Sequence, residues 1–235
     1  MTNHRRQFID FALKGNALSF GDFTTKAGRR SPYFFNTGRF DSGASVGELG
    51  RFYAMTLVAA ERDGLAYDML FGPAYKGITL AAATAMALAA LPPEEGGRDV
   101  GFAYNRKEAK THGDSGLLVG AKLAGRVVIV DDVLTDGASK RESVDIIRAA
   151  GAEPVAVLIA MDRMERKDDS GSSRASAVQV FEAEYGIPVL AIADLDDLMD
   201  WLAQDAAATL APYADAVAAY RERYGAAADA AGAST

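Results

Sequence analysis

Apolar residues recur at two periods along this chain, and the two periods take turns. Phe8, Phe11 and Ala12 fall at helical spacing within residues 5–14, and 18–23 then alternate apolar and polar as a strand does. Leu49, Phe52, Tyr53, Thr56 and Leu57 repeat every three or four positions, which predicts an amphipathic helix over 46–62, closed by Gly64. Beyond it, strand-like runs at 67–71, 100–104, 126–131, 154–161 and 188–193 are separated by helical stretches at 78–91, 140–150 and 174–185. Such alternation requires right-handed crossovers, so the predicted fold class is α/β, with a mostly parallel central sheet flanked by helices. Residues 195–202 and 212–223 predict closing helices, the second with Pro212 in its first turn, where a missing N–H costs little. The tail, 226–235, holds only Ala, Gly, Asp, Ser and Thr and is predicted to fray.

Composition narrows the function. The 235 residues include 32 acidic and 25 basic side chains, and the formal net charge of −7 argues against a polybasic nucleic-acid binder. The longest nearly uncharged stretch, 77–93, is Ala-rich and closed by two prolines, shorter than the ~20 apolar residues of a membrane span. It predicts a buried helix, and no membrane partner is expected. Asp10 and Lys14 interrupt the apolar run that a secretory signal would need. Absence of cysteine removes disulfides, thiolate zinc sites and cysteine nucleophiles, and is compatible with a cytoplasmic location. Only His4 and His112 can supply imidazole.

In open parallel sheets, ligands bind beyond the carboxyl ends of the strands, so the residues just after each strand carry the chemistry. The most informative of these segments is 127–139, Val-Val-Ile-Val-Asp-Asp-Val-Leu-Thr-Asp-Gly-Ala-Ser: an apolar strand, paired acids, a glycine turn and a helix start. Backbone amides over 135–139 would face an anion where the helix dipole also favours negative charge. Thr135 and Ser139 add hydroxyl donors, and Asp131 and Asp132 can accept from sugar hydroxyls or hold magnesium-bound water. Ser139 with Glu142 also spells a capping box, so a plain helix cap stays open for that residue.

Three more segments bear on function. Residues 72–77, Gly-Pro-Ala-Tyr-Lys-Gly, can bring backbone near an anion with Tyr75 and Lys76 reaching over it. The stretch 72–79 nearly spells a nucleotide-triphosphate loop, but Ile78 stands where its lysine is needed. Residues 105–114 place Arg106, Lys107, Lys110 and His112 in one charged loop backed by Gly113 and Gly116, as a lid over a charged substrate or a solvated surface loop would have them. Lys26 and the aromatic run Tyr33, Phe34 and Phe35 read either as a surface for something flat and anionic or as an edge strand. Residues 43–47 match Gly-x-Ser-x-Gly, yet follow a polar stretch, and no histidine follows His112, which disfavours hydrolase chemistry.

The string 127–139 resembles the phosphoribosyl-pyrophosphate (PRPP) motif of type I phosphoribosyltransferases. Residues 105–114 resemble the mobile catalytic loop of the orotate phosphoribosyltransferases in that family, and Lys26 with 31–36 resembles their orotate-facing segment. The likeness runs in order from about residue 8 to 224. It implies a type I phosphoribosyltransferase fold with a small N-terminal hood: hood and base-binding segment 1–40, core 41–225, flexible tail 226–235. It implies transfer of ribose 5-phosphate from PRPP to orotate, giving orotidine 5′-monophosphate and pyrophosphate in pyrimidine biosynthesis. By the same resemblance Arg106, Lys107, Lys110 and His112 are catalytic. PRPP falls to Lys26, Tyr75, Lys76, Asp131, Asp132, Val133, Leu134, Thr135, Asp136, Gly137, Ala138 and Ser139, and orotate to Phe34, Phe35, Thr135 and Arg163. Arg163 suits a carboxylate through its planar fork, though in Arg-Met-Glu-Arg it reads equally as a surface residue. Mg²⁺ is expected on PRPP with no protein metal site, and the catalytic loop is expected to serve the neighbouring subunit of a homodimer. Asp136 departs from the motif, which often has a small residue there. Rival readings are an enzyme of this fold acting on a purine or uracil, and a non-catalytic regulator that senses PRPP and binds RNA.

Overall fold

The computed structural model describes residues 1–25, 27–108, 117–135, 137–167, 174–204 and 209–227. The expectations for Lys26, Lys110, His112 and Asp136 lie outside the described residues. The chain divides into two compact units, one of residues 37–160 and 187–192, the other of 1–36, 161–186 and 193–235.

The first of these units carries most of a six-stranded sheet. Its strands are β3 (Met69–Gly72), β4 (Gly101–Asn105), β5 (Leu118–Gly120), β6 (Arg126–Val130), β7 (Glu153–Asp162) and β8 (Val189–Asp194), in the order β5-β4-β3-β6-β7-β8. β3 runs parallel to β4 and β6, and β6 parallel to β7, whereas β5 is an antiparallel edge. Val127, Val128, Ile129 and Val130 are fully buried, as central parallel strands covered on both faces must be.

Two helices pack on each other in this unit, α2 (Gly43–Arg62) and α3 (Lys76–Ala90). They meet at Gly50, where a Cβ would stand 2.6 Å from the Ala83 carbonyl oxygen. α2 begins three residues before the predicted start, because Ser42 and Ser45 cap each other's backbone. The Gly-x-Ser-x-Gly string is therefore a helical first turn, with the Ser45 hydroxyl bonded to Ser42. α4 (Ala138–Ala149) starts two residues earlier than predicted, with Gly137 as N-cap at φ 74°. No side chain caps it, so the Ser139–Glu142 box is not what opens this helix.

The other unit pairs the antiparallel strands β1 (Leu18–Thr24) and β2 (Arg30–Phe35) with α1 (Asn3–Lys14), α5 (Ala177–Tyr185), α6 (Leu195–Gln204) and α7 (Pro212–Tyr224). α1 is held to α6 by Trp201 Nε1 donating to Asp10 at 2.9 Å and by Arg5 donating to Asp197 at 2.5 Å. Along β2 the aromatics split by strand alternation: Tyr33 and Phe35 are buried, while Phe34 stays exposed.

Candidate active site

The acid pair stands at the carboxyl end of β6 and its two members do different things. The Asp131 carboxylate is buried. Its Oδ1 accepts from the Asp132 amide at 2.9 Å, and its Oδ2 pairs with Lys140. Burial raises the Asp131 pKa and Lys140 works against that. Its backbone is pinned on two sides, donating to Leu158 at 3.0 Å and accepting from the Tyr53 hydroxyl at 2.8 Å.

Asp132 turns to the loop before α3. Its Oδ1 accepts from the Val133 amide at 2.9 Å, and its Oδ2 accepts from Lys76 Nζ at 2.7 Å and from Thr37 Oγ1 at 3.3 Å. Thr37, in a 3-10 turn over Thr37–Arg39, was not among the expected site residues. A lone threonine outside any motif carries no signal for it.

The loop 72–77 is packed to the limit of what a backbone allows. A Cβ on Gly72 would stand 2.1 Å from the Gly77 carbonyl oxygen, and one on Gly77 2.5 Å from Pro73 Cδ and 2.8 Å from the Val130 carbonyl oxygen. The Ala74 amide donates to the Asn105 side chain at 2.9 Å, and the Ala74–Tyr75 peptide is cis. Asn105, buried at the end of β4, is thus a further site-shaping residue. Tyr75 is largely exposed and caps α3 with its backbone, and Lys76 opens that helix.

The described residues between the acid pair and α4 leave an open face. Thr135 and Ala138 are exposed and Leu134 is buried. Gly137 turns the chain through left-handed φ into the helix, and the site is then lined by the N-terminus of α4. Arg106 and Lys107 follow β4 directly, with the Arg106 amide donating to the Leu117 carbonyl at 2.7 Å. The structure so gathers Lys76, Asp131 and Asp132 with Val133, Leu134, Thr135, Gly137 and Ala138 in one unit.

Phe34, Phe35 and Arg163 belong to the other unit. Phe34 stacks on Phe23 with ring centres 5.4 Å apart, whereas the Phe35 ring packs against Phe8 in the core. Phe34 is therefore the exposed ring of the two, and the Phe35 ring is buried. Arg163 is no surface residue. Nε donates to Glu165 at 2.6 Å, Nη2 reaches the Ser31 hydroxyl at 3.3 Å and the Tyr220 hydroxyl at 3.4 Å, and the guanidinium lies over the Tyr33 ring. Burial works to lower the Arg163 pKa, but Tyr33, Glu165 and Tyr220 outweigh it and the net direction is upward. Tyr220 is itself pushed up to about 12, by burial and then by Glu165. Glu165 also accepts from Arg29 at 3.3 Å, so one carboxylate organises two arginines.

The family model of the phosphoribosyl transferase domain matches residues 50–191, a span that holds the central strand with its paired acids and the glycine-turned start of α4, so this is a phosphoribosyl transferase domain. A curated relative from Cupriavidus necator, named orotate phosphoribosyltransferase, is 61% identical over 222 residues, covering 93% of this chain and 93% of its own. One of the same name from Ralstonia pickettii is 60% identical, covering 94% and 95%. The crystal structure of the orotate phosphoribosyltransferase of Francisella tularensis superposes with a TM-score of 0.78 at 36% identity, over 93% of this chain and 99% of that one. The chain belongs to the orotate phosphoribosyltransferase family.

Proposed function

We infer that this protein transfers ribose 5-phosphate from PRPP to orotate, releasing pyrophosphate and forming orotidine 5′-monophosphate. The observation that carries the reading is the joined pair of loops, Lys76 on Asp132 at 2.7 Å beside the open face that leads into α4 and is read as a cradle. The cradle amides and Thr135 take the 5′-phosphate, where the helix dipole favours negative charge. Asp131 and Asp132 accept from the ribose hydroxyls, so Lys76 must leave Asp132 for the pyrophosphate when PRPP arrives. Orotate lies on the Phe34 face with its carboxylate on Arg163.

The chemistry needs no covalent enzyme intermediate. N1 of the orotate anion forms a bond to the anomeric carbon as the bond from that carbon to the pyrophosphate oxygen breaks, and the bonding pair leaves with pyrophosphate. Positive charge grows on the sugar and negative charge on the leaving group. Cations placed for that moment lower the barrier, and Lys76, Arg106, Lys107, Lys110 and His112 are the groups assigned to it. Mg²⁺ enters on the PRPP diphosphate, with Asp132 the carboxylate best placed to hold its water. We place the reaction in the cytoplasm, in keeping with a chain free of cysteine.

The working form is proposed to be a homodimer that shares its catalytic loops. Support comes from an apolar groove of about 610 Å³ between α2 and α3, lined by Val46, Ala83, Ala87 and Leu91, with Met86 largely exposed beside it. The test of the function is the loss of orotate absorbance on mixing the protein with PRPP and Mg²⁺, beside uracil, hypoxanthine and adenine. PRPP-dependent loss of orotate alone is expected. Turnover of another base in its place overturns the base assignment.

A further inference from the structure

Lys140 stands in the first turn of α4, where a cation opposes the helix dipole, and it is almost wholly buried. Removing an ammonium from water costs several kcal/mol, and a buried ion pair replaced by apolar side chains commonly leaves stability equal or better. Stability alone therefore gives no reason for a lysine here. Its contacts do. Nζ pairs with Asp131 Oδ2 and donates to the Val133 carbonyl at 2.6 Å, so one ammonium ties the strand end, the loop and the helix start together.

Both ends of the acid are then fixed. Oδ1 is held by the Asp132 amide and Oδ2 by Lys140, while Tyr53 and Leu158 hold the Asp131 backbone. The Val133 carbonyl is thereby held against the first turn of α4. A carboxylate offers about four lone-pair directions, so Asp131 retains acceptor capacity toward a ribose hydroxyl while its orientation is set from behind.

We propose that Lys140 is a positioning residue for the ribose 5-phosphate half of the substrate, acting through Asp131 and the Val133 carbonyl without touching the ligand. The inference rests on the PRPP reading of the cradle. It makes a selective claim: affinity for the two molecules that carry ribose 5-phosphate depends on Lys140, and affinity for orotate and for pyrophosphate does not.

The experiment compares wild type, K140M and K140R in both directions of the reaction, with PRPP dissociation constants measured separately by calorimetry in Mg²⁺ without orotate. K140M is expected to raise the KM for PRPP and for orotidine 5′-monophosphate by roughly tenfold, the scale of one charge-assisted contact. The KM for orotate and pyrophosphate should stay within about twofold of wild type and K140R should recover part of the loss, since Arg keeps the charge. A folded K140M with unchanged PRPP affinity overturns the proposal, as does an equal rise in all four constants. Should K140M not fold, D131N/K140M carries the test beside D131N, because the double variant leaves neither buried charge without its partner. Equal PRPP dissociation constants for D131N and D131N/K140M support action through Asp131, and a further tenfold loss in the double variant overturns it. If the wild-type protein does not bind PRPP, the reading of the cradle fails first.

Discussion

The guanidinium carbon of Arg163 lies 4.6 Å from the centre of the Tyr33 ring, and its Nε donates a hydrogen bond to Glu165 at 2.6 Å. Ring and carboxylate leave the fork one orientation. A planar, bidentate partner for a carboxylate cannot be replaced by a point charge, so R163K should raise the KM for orotate by roughly tenfold or more with little change for PRPP. E165Q keeps the shape but loses the charge that steers the fork, and should raise the orotate KM by a smaller factor. Steady-state kinetics with each substrate varied in turn checks both. A parallel rise for PRPP would place Arg163 elsewhere in the reaction.

Tyr53 reaches from α2 to the carbonyl of Asp131 at 2.8 Å, and both groups are buried. Y53F leaves that carbonyl without its donor, at a cost of about 1–2 kcal/mol. The melting temperature should fall by roughly 2–6 °C, measured by calorimetry. An unchanged melting temperature would show that the hydroxyl does not anchor the acid pair.

How far the chain announced this site depends on the range of the forces involved. The β6 core was legible because a parallel strand buried on both faces must be apolar throughout, as Val127–Val130 are. The three-residue β5 was not, since Leu118–Gly120 is too short for any period to show. Ser42 and Ser45 hid the true start of α2, because the usual signal has Glu or Gln at the third position. Phe34 and Phe35 looked alike as residues, and only the pairing of β2 with β1 decides which ring faces out. Lys140 and Glu165 were passed over for a different reason. A lone lysine or glutamate reads as a surface residue until folding places Asp131, or Arg29 from 136 positions away, against it.

The glycines of the loop 72–77 make a sharper test of the anion-binding assignment. Gly72 and Gly77 touch each other's backbone, and a methyl group on either collides with main chain or with Pro73, which has nowhere to go. G72A and G77A should each lower kcat/KM for PRPP by roughly a hundredfold or more, since a misplacement near 1 Å is that costly. G43A is the control: its added methyl meets nothing within 4 Å, in the first turn of α2. It should keep wild-type kinetics. Equal losses in all three variants would mean that the effect is not local to this loop.

Asp162, at the end of β7, is placed to make stability depend on pH. Burial pushes its pKa up to about 6 from an ordinary value of 3.8, Asp194 and Glu182 add to that, and the Met164 amide at 2.8 Å and Arg221 oppose it. The native state thus holds this proton more tightly than the unfolded chain does. Below about pH 4 the group is protonated in both states and contributes nothing. Between about 4 and 6 ionisation begins to cost the native state, and above 6 the cost is constant at roughly 3 kcal/mol as an upper figure. Asparagine mimics the neutral acid and keeps an acceptor for the Met164 amide. D162N should therefore melt roughly 5 °C above wild type at pH 8, with the difference shrinking through pH 6 and gone near pH 4. Melting curves for both proteins across that range decide the matter. A gain that persists at pH 4 would come from something other than the charge, and no gain at pH 8 would mean that the Asp162 charge is already met in the native state.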